Sequence, residues 1–335
     1  MRIWRFDEFG LEYLKLDTAE VSTPGPGEIL LDVKALSLNY RDLMVVKGQY
    51  NPKLHLPATP ISDAAGVISA IGAGVRRVEV GDQVTSHFIA GWIDGPYRAE
   101  YAGTTLGTPG PGLAAEQVVL AADAVVPLPS GYDFAKGSTL PIAALTAWSA
   151  LRTVAHVEAG QTVLTLGTGG VSIFALQLAK QMGAAVIITS SSDEKLQWAH
   201  DLCADHLINY RARPDWDRAV LELTDGVGVD LTVENGGVAT LEQSMWATRA
   251  GGTIAYLGAL TGLKGQLNTA LLLRKRLHIA GLFVDSRAAF ETMNCFIEQH
   301  QIRPIIHRRF PFERLPEAFR LMEAGGHFGK IVIEL

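Results

Sequence analysis

The chain has 335 residues, a net charge of −6 at pH 7, 48% hydrophobic and 19% charged residues, a composition that fits two packed globular domains and excludes a disordered chain. No run of lysine and arginine forms the footprint of a nucleic-acid binder, and no window holds enough apolar sequence for a membrane span. Cys203 and Cys295 lie far apart, each in a helical pattern, which excludes a disulfide framework; with no signal-peptide core at the N-terminus, the expected location is the cytoplasm.

Residues 1 to 128 are dense in short strand signals and turn punctuation. Pro24–Glu28 breaks the chain before the strand-like run EILLDVKALSL, and AAGVISAIGAGVRRVEVGDQV holds two more strand candidates separated by glycine turns. This pattern predicts a compact β-barrel-like domain. The stretch from Gly91 to Gly112 has no periodicity and many glycines, prolines and aromatics, the texture of a functional loop. AEQVVLAADAVVPLP then returns to strand pattern.

From Tyr132 the texture changes to alternating helices and strands. Thr162 to Leu166 is an apolar run too short for a helix and predicts a buried parallel strand. Gly167-Thr168-Gly169-Gly170 follows at once, and from Val171 apolar residues recur at helical spacing until Gly183. Ala185 to Thr189 supplies the next strand. A glycine turn between strand and helix is where dinucleotides bind, because the helix N-terminus offers unpaired N–H groups and glycines let a pyrophosphate approach. The GxGxxG match is incomplete, since Ser172 stands in the third position, but the strand–helix–strand context is present.

The second strand runs into Ser190-Ser191-Ser192, with Lys195 one turn later. Hydroxyls and a lysine suit the 2′-phosphate of NADP, where an acidic residue would hold the 2′-hydroxyl of NAD. The expected preference is NADP(H) over NAD(H), with Asp193 and Glu194 arguing the other way. A helix follows with Leu196, Ala199 and Cys203 on one face and a Ser191/Glu194 capping box. Strands are predicted at His206–Ile208, Asp230–Glu234, Thr253–Leu257 and Leu277–Phe283, and a helix at Ala239–Arg249. Counting the first two, that makes about six parallel strands, the size of a doubly wound sheet. Asn235 and Gly236 end one of these strands, where ligands collect in such folds. Arg274-Lys275-Arg276 precedes the last strand as a solvated edge. The tail from Asp285 begins with a helix and ends in the strand Lys330–Leu335, which is expected to return to the first domain. The predicted division is residues 1–128 with 286–335, and 129–285.

Several ordered segments carry a family likeness: NYRDLMVVKGQY, VGDQV, LPIAALTAW, GTGGVS, SSSDEKL, CADHLINY and HFGKIVIEL. Together they resemble the medium-chain dehydrogenase/reductase superfamily over nearly the whole chain, and within it the zinc-independent, quinone-oxidoreductase-like group. The resemblance implies an α/β protein with a β-rich GroES-like catalytic domain, a doubly wound Rossmann cofactor domain, and a homodimer. It implies that Gly167, Thr168, Gly169, Gly170 and Val171 cradle the pyrophosphate and that Tyr210 flanks the adenine. Thr146 is implied near the nicotinamide, with a helix cap as its alternative. Gly258 and Phe283 are expected to border the nicotinamide. Lys330 belongs to a motif near the cofactor or is a solvated surface lysine.

In the metal-dependent relatives, zinc ligands occupy the positions matched here by Asn39, Ser62 and Ile142, with a carboxylate at Asp63. Neither Asn39 nor Ser62 is a good zinc ligand, and Ile142 cannot be one. The Gly91–Gly112 loop holds no cysteine for a structural zinc, and the nine histidines show no metal-binding spacing. No zinc is expected. The resemblance then implies a small-molecule substrate, an activated alkene or quinone, reduced by NADPH. Tyr50 matches a tyrosine that some enoyl reductases of the superfamily use as proton donor, or it is packed under a loop. Asn39 can donate from its amide to a substrate oxygen, or it satisfies nearby backbone. Trp92 walls the substrate pocket or anchors its loop, and Arg41–Asp42 is a structural pair. Two other readings remain: a zinc-independent alcohol or carbonyl dehydrogenase, and a nucleotide-binding protein without turnover.

Overall fold

Strand pairing sorts the chain into two units in the computed structural model, which describes every residue other than Ala259 and Leu263. One unit is Met1–Leu145 with Val284–Leu335; the other is Thr146–Phe283.

Glu28–Ser37 is the spine of the first unit. Its sequence has few polar positions because it is covered on both faces, and it pairs with Asp63–Ile71, Gln117–Ala121 and Lys330–Glu334. The sheet continues outward through Gln83–Ser86 to Val125–Pro127 on one side and through Lys330–Glu334 to Ile306–Pro311 on the other. The C-terminal strand thus returns to the N-terminal domain, with Val332 opposite Ser37. Phe6, Leu31, Leu36, Ile68, Phe312, Phe319 and Ile333 fill the core between this sheet and the helix Leu315–Glu323.

The boundary lies later than the composition change indicates. Residues 129 to 145 belong to the first unit, because Ala135 packs with Ala35 and Val332, and Thr85 Oγ1 donates to the Gly137 carbonyl. Tyr132 Oη also donates to the Ile302 carbonyl at 2.8 Å. The Gly91–Gly112 loop stays irregular apart from a 3-10 turn at Ala99–Thr104.

The second unit is one parallel sheet, in the order His206–Asn209, Ala185–Ser190, Thr162–Thr165, Val229–Glu234, Thr248–Tyr256, His278–Gly281. Numbered by sequence this is 3-2-1-4-5-6, the doubly wound dinucleotide-binding order. The order reverses between Thr162–Thr165 and Val229–Glu234, and a crevice opens beyond the carboxyl ends of strands at such a switch.

Local details differ from expectation. The helix Asp193–Asp201 is capped by Ser192, whose Oγ accepts from Lys195 N, so the cap falls one residue after Ser191. Cys203 lies past that helix at φ +67° and Cys295 lies in the helix Arg287–Gln299; both are exposed. Lys275 is not a free surface cation: Nζ donates to the carbonyls of Met245 (3.0 Å) and Trp246 (2.7 Å) at the end of the helix Val238–Ala247. Among the described residues no helix is long and apolar enough to cross a membrane.

Candidate active site

In the second unit the strand Thr162–Thr165 leads through Leu166 into the turn. Gly167 turns at φ +74°, a conformation open to glycine, and its N–H donates to Thr189 Oγ1 at 3.2 Å. A side chain on Gly167 or Gly169 would meet only open space, so the turn is accessible from above. The helix Gly170–Gln181 begins there, its first bond running from Ile173 N to the Gly169 carbonyl. The N–H groups of Gly169, Gly170 and Val171 have no partner among the described residues, as a helix start leaves them.

Ser172, the departure from the glycine fingerprint, has its own task. Its Oγ donates to the Leu166 carbonyl at 2.7 Å and accepts from Asn235 Nδ2 at 2.6 Å. Asn235 Nδ2 also reaches the Leu166 carbonyl at 3.1 Å, which ties the ends of the two strands flanking the switch point. The Oδ1 of Asn235 is buried without a hydrogen-bond partner. Behind it, the fully buried carboxylate of Glu234 holds the loop: Oε1 accepts from Gly236 N (2.7 Å), Gly237 N (3.0 Å) and Thr240 Oγ1 (2.7 Å), and Oε2 accepts from Ser244 Oγ. Any side chain at Gly258 would overlap the Asn235 carbonyl, so that position requires glycine. Unpaired N–H groups, an open glycine turn and an orphaned amide oxygen fit a dinucleotide pyrophosphate and its neighbouring groups.

At the end of the second strand, Ser190 Oγ accepts from Ser192 N at 3.3 Å, and the Ser191 hydroxyl has no partner among the described residues. Asp193 is turned to Asn209, whose Nδ2 donates to it at 2.6 Å. Burial pulls the Lys195 ammonium below its usual range, with Glu194 opposing. Tyr210 N donates to the Ser190 carbonyl at 3.0 Å, and Tyr210 is exposed at the end of the serine-bearing strand. Thr146 is not a helix cap: it lies inside the helical run, buried, and its Oγ1 donates to the carbonyl of Phe283 at 3.3 Å, while the Phe283 ring is exposed.

The first unit holds a buried polar network where the resemblance puts zinc ligands. Asn39 starts the helix Tyr40–Val46, and its N–H donates to Asp42 Oδ2 at 2.9 Å. Its amide is committed: Nδ2 donates to Asp63 Oδ2 at 2.8 Å, and Oδ1 accepts from Lys330 Nζ at 2.7 Å. Of the two roles expected for Asn39, the structure shows an internal one, with side-chain charges in place of backbone: its amide holds Asp63 and Lys330. For Lys330 the solvated alternative is corrected. It is buried in the first unit, donating to the Leu38 carbonyl at 2.7 Å, with Asp63 Oδ2 at 3.9 Å. Burial raises the Asp63 carboxyl, against the pull of Lys330, and burial lowers the Lys330 ammonium, against Asp63.

Ser62 Oγ donates to Asp42 Oδ1 at 2.7 Å and accepts from Arg41 Nη1. Among the described residues no three His, Cys, Asp or Glu side chains are grouped to hold a metal ion. With asparagine, serine and isoleucine at the ligand positions, this donor set does not fit a catalytic zinc.

Tyr50 is half-buried, its ring under the Arg41 guanidinium at 4.6 Å, and its hydroxyl has no partner among the described residues. Arg41 and Asp42 do pair, at 3.4 Å. Trp92 takes the anchoring alternative. It is 8% exposed, its Nε1 donates to the Gly95 carbonyl at 2.8 Å, and it packs against Tyr97 (5.2 Å) and Tyr101 (6.4 Å). Its carbonyl meets His87 Nε2 at 3.2 Å, and burial holds the pKa of that histidine down to about 4. Ser172, Glu234 and Arg41 were not among the expected site residues; only the broken fingerprint at Ser172 signalled its role in advance.

Comparison with known proteins gives two family matches along the chain. Residues 25–130 match the alcohol dehydrogenase GroES-like domain, and residues 170–299 match the zinc-binding dehydrogenase family. A zinc-type alcohol dehydrogenase-like protein of Schizosaccharomyces pombe is 40% identical over 97% of this chain and 96% of its own. The quinone oxidoreductase of Pongo abelii is 30% identical over 100% of this chain and 98% of its own. Among solved structures, a putative alcohol dehydrogenase from Sinorhizobium meliloti 1021 superposes with a TM-score of 0.93 at 40% identity, covering 100% of this chain and 98% of its own. An NAD-dependent alcohol dehydrogenase gives a TM-score of 0.91 at 34% identity, with 100% of both chains covered.

Proposed function

Because this chain belongs to the medium-chain dehydrogenase/reductase superfamily and is an oxidoreductase of that type, we propose that it reduces activated alkenes or quinones with NADPH and without zinc. One observation carries the reading: at the positions of a zinc site, Asn39 and Ser62 are engaged in a buried hydrogen-bond network with Asp63, Lys330, Asp42 and Arg41, while the nearby Tyr50 hydroxyl has no partner among the described residues. Reduced nicotinamide, when bound, supplies the hydride. The glycine turn and the N–H groups of Gly169 to Val171 hold its pyrophosphate. Tyr50 donates to the substrate oxygen as negative charge builds there and supplies the proton that completes the reduction.

The preference for NADP(H) rests on Ser190, Ser191 and Lys195 and on Asp193 being turned to Asn209. The similar solved structure described as NAD-dependent favours the second reading, an alcohol or carbonyl dehydrogenase using NAD. Turnover after dialysis against a chelator decides between them. Enones and quinones with NADPH are the expected substrates; turnover confined to aldehydes or secondary alcohols with NAD(H), or zinc lost together with activity, sinks the proposal. The assembly proposed is a cytoplasmic homodimer. The strand His278–Gly281 at the sheet edge, with exposed Leu273 and Trp246 in the same unit, supports a dimer, and light scattering tests it.

A further inference from the structure

We propose that Arg41 is a positioning residue for Tyr50, orienting the ring and stabilising the charge that develops on it as the proton leaves. The inference rests on the reading of Tyr50 as proton donor. The Arg41 side chain is 10% exposed. Its Nη1 is held by Ser62 Oγ, by the Leu106 carbonyl at 3.2 Å and by Asp42 Oδ1 at 3.4 Å. Its Nε and Nη2 are buried with no hydrogen-bond acceptor. What compensates that half of the cation is aromatic: the Tyr50 ring at 4.6 Å and the Phe88 ring at 4.9 Å.

Buried guanidinium N–H groups without acceptors are costly, and an apolar side chain would fill the space between two rings more cheaply. The arrangement becomes useful once Tyr50 reacts. In the reduction of an enone, hydride brings two electrons to the β-carbon, and the O–H bond of Tyr50 breaks as its proton passes to the α-carbon. The electron pair stays on the phenol oxygen and spreads into the ring, and solvent later returns the proton. A fixed cation over the ring face attracts an electron-rich ring more strongly than a neutral one, so it favours the transition state over the ground state. Ser62 links this device to the rest of the network. It accepts from Arg41 and donates to Asp42, which also holds the Asn39 N–H.

The test is a double-mutant cycle. Arg41→Met, Arg41→Lys and Ser62→Ala are each made in the parent and in Tyr50→Phe, and kcat, KM and the solvent deuterium isotope effect are measured with an enone at saturating NADPH. Arg41→Met is expected to lower kcat by about tenfold, the size of a desolvated cation–π contact, with KM changed by less than about twofold. The isotope effect rises because proton transfer becomes slower. Arg41→Lys recovers part of the loss, because it keeps the charge and loses the fork. In the Tyr50→Phe background Arg41→Met costs less than about twofold, since two residues acting as one unit are not additive. A full loss in both backgrounds, or an unchanged isotope effect, overturns the role of Arg41. A Tyr50→Phe variant that keeps its kcat overturns the donor assignment itself, whatever Arg41 does. Should Arg41→Met fail to fold, Ser62→Ala, which releases the guanidinium and also removes the donor to Asp42 Oδ1, decides through the two backgrounds: it must slow the parent by about threefold and leave Tyr50→Phe unchanged.

Discussion

Replacing Lys330 by methionine removes the cation at the centre of the buried network. The side chain is close in length and apolar, so the space stays filled while the charge goes. Three consequences follow from the structure. The Leu38 carbonyl and Asn39 Oδ1 each lose a charge-assisted bond of 2.7 Å. Both are left in a dry interior, at about 1–3 kcal/mol for each unsatisfied group. Asp63, fully buried and 3.9 Å from the ammonium, loses its counter-charge. Against these stands the cost of burying the ammonium, which the substitution abolishes. Breaking one side of a buried ion pair costs about 3–5 kcal/mol net, and that is the destabilisation expected. Urea unfolding followed by tryptophan fluorescence measures it. The second half of the test is Asp63→Asn: combined with Lys330→Met it removes both charges, so the double variant recovers at least about 2 kcal/mol relative to additivity. A loss below about 1 kcal/mol, or strict additivity, refutes the reasoning and leaves Lys330 as a surface-like residue that happens to be covered.

Tyr50→Phe keeps the ring under Arg41 and removes only the hydroxyl; kcat is expected to fall by at least about tenfold with NADPH affinity unchanged, measured by steady-state kinetics and fluorescence titration. Lys195→Ala is expected to weaken NADPH binding by about tenfold and to leave NADH within about twofold, so equal losses for both cofactors would remove Lys195 from 2′-phosphate recognition. His87 gives a pH dependence whose sign is fixed. Burial holds its folded pKa at about 4, below the ordinary 6.5 of a histidine, so falling pH protonates the unfolded chain first and favours unfolding. Between pH 6.5 and 4 the protein loses about 3 kcal/mol through this residue, a slope that His87→Gln flattens in pH-resolved urea titrations.

The dinucleotide half of the molecule was legible because its determinants are local. A short apolar run, a glycine turn and a helical repeat sit within thirty-odd consecutive residues, and each element's type follows from its own period. The switch-point loop was legible only in outline. Asn235 was placed at a strand end, but its bonds to Leu166 and Ser172 span 69 and 63 residues of sequence. No periodicity encodes them. The catalytic half shows the same limit more sharply. Asn39 and Lys330 are 291 residues apart, and FGK reads equally as a motif near the cofactor or as surface until the C-terminal strand Lys330–Glu334 is laid beside Glu28–Ser37. That pairing carries the first residue of the strand into the interior beside Asn39, where a lysine survives only by finding acceptors. The substitutions that break a zinc site were visible one position at a time as poor ligands. The charged partners that Asn39 and Ser62 find were not, because hydrogen bonding depends on which side chains meet. Asn39 therefore serves the protein's own charges, Asp63 and Lys330, and the proposed donor role goes to the neighbouring hydroxyl of Tyr50, which has no partner among the described residues.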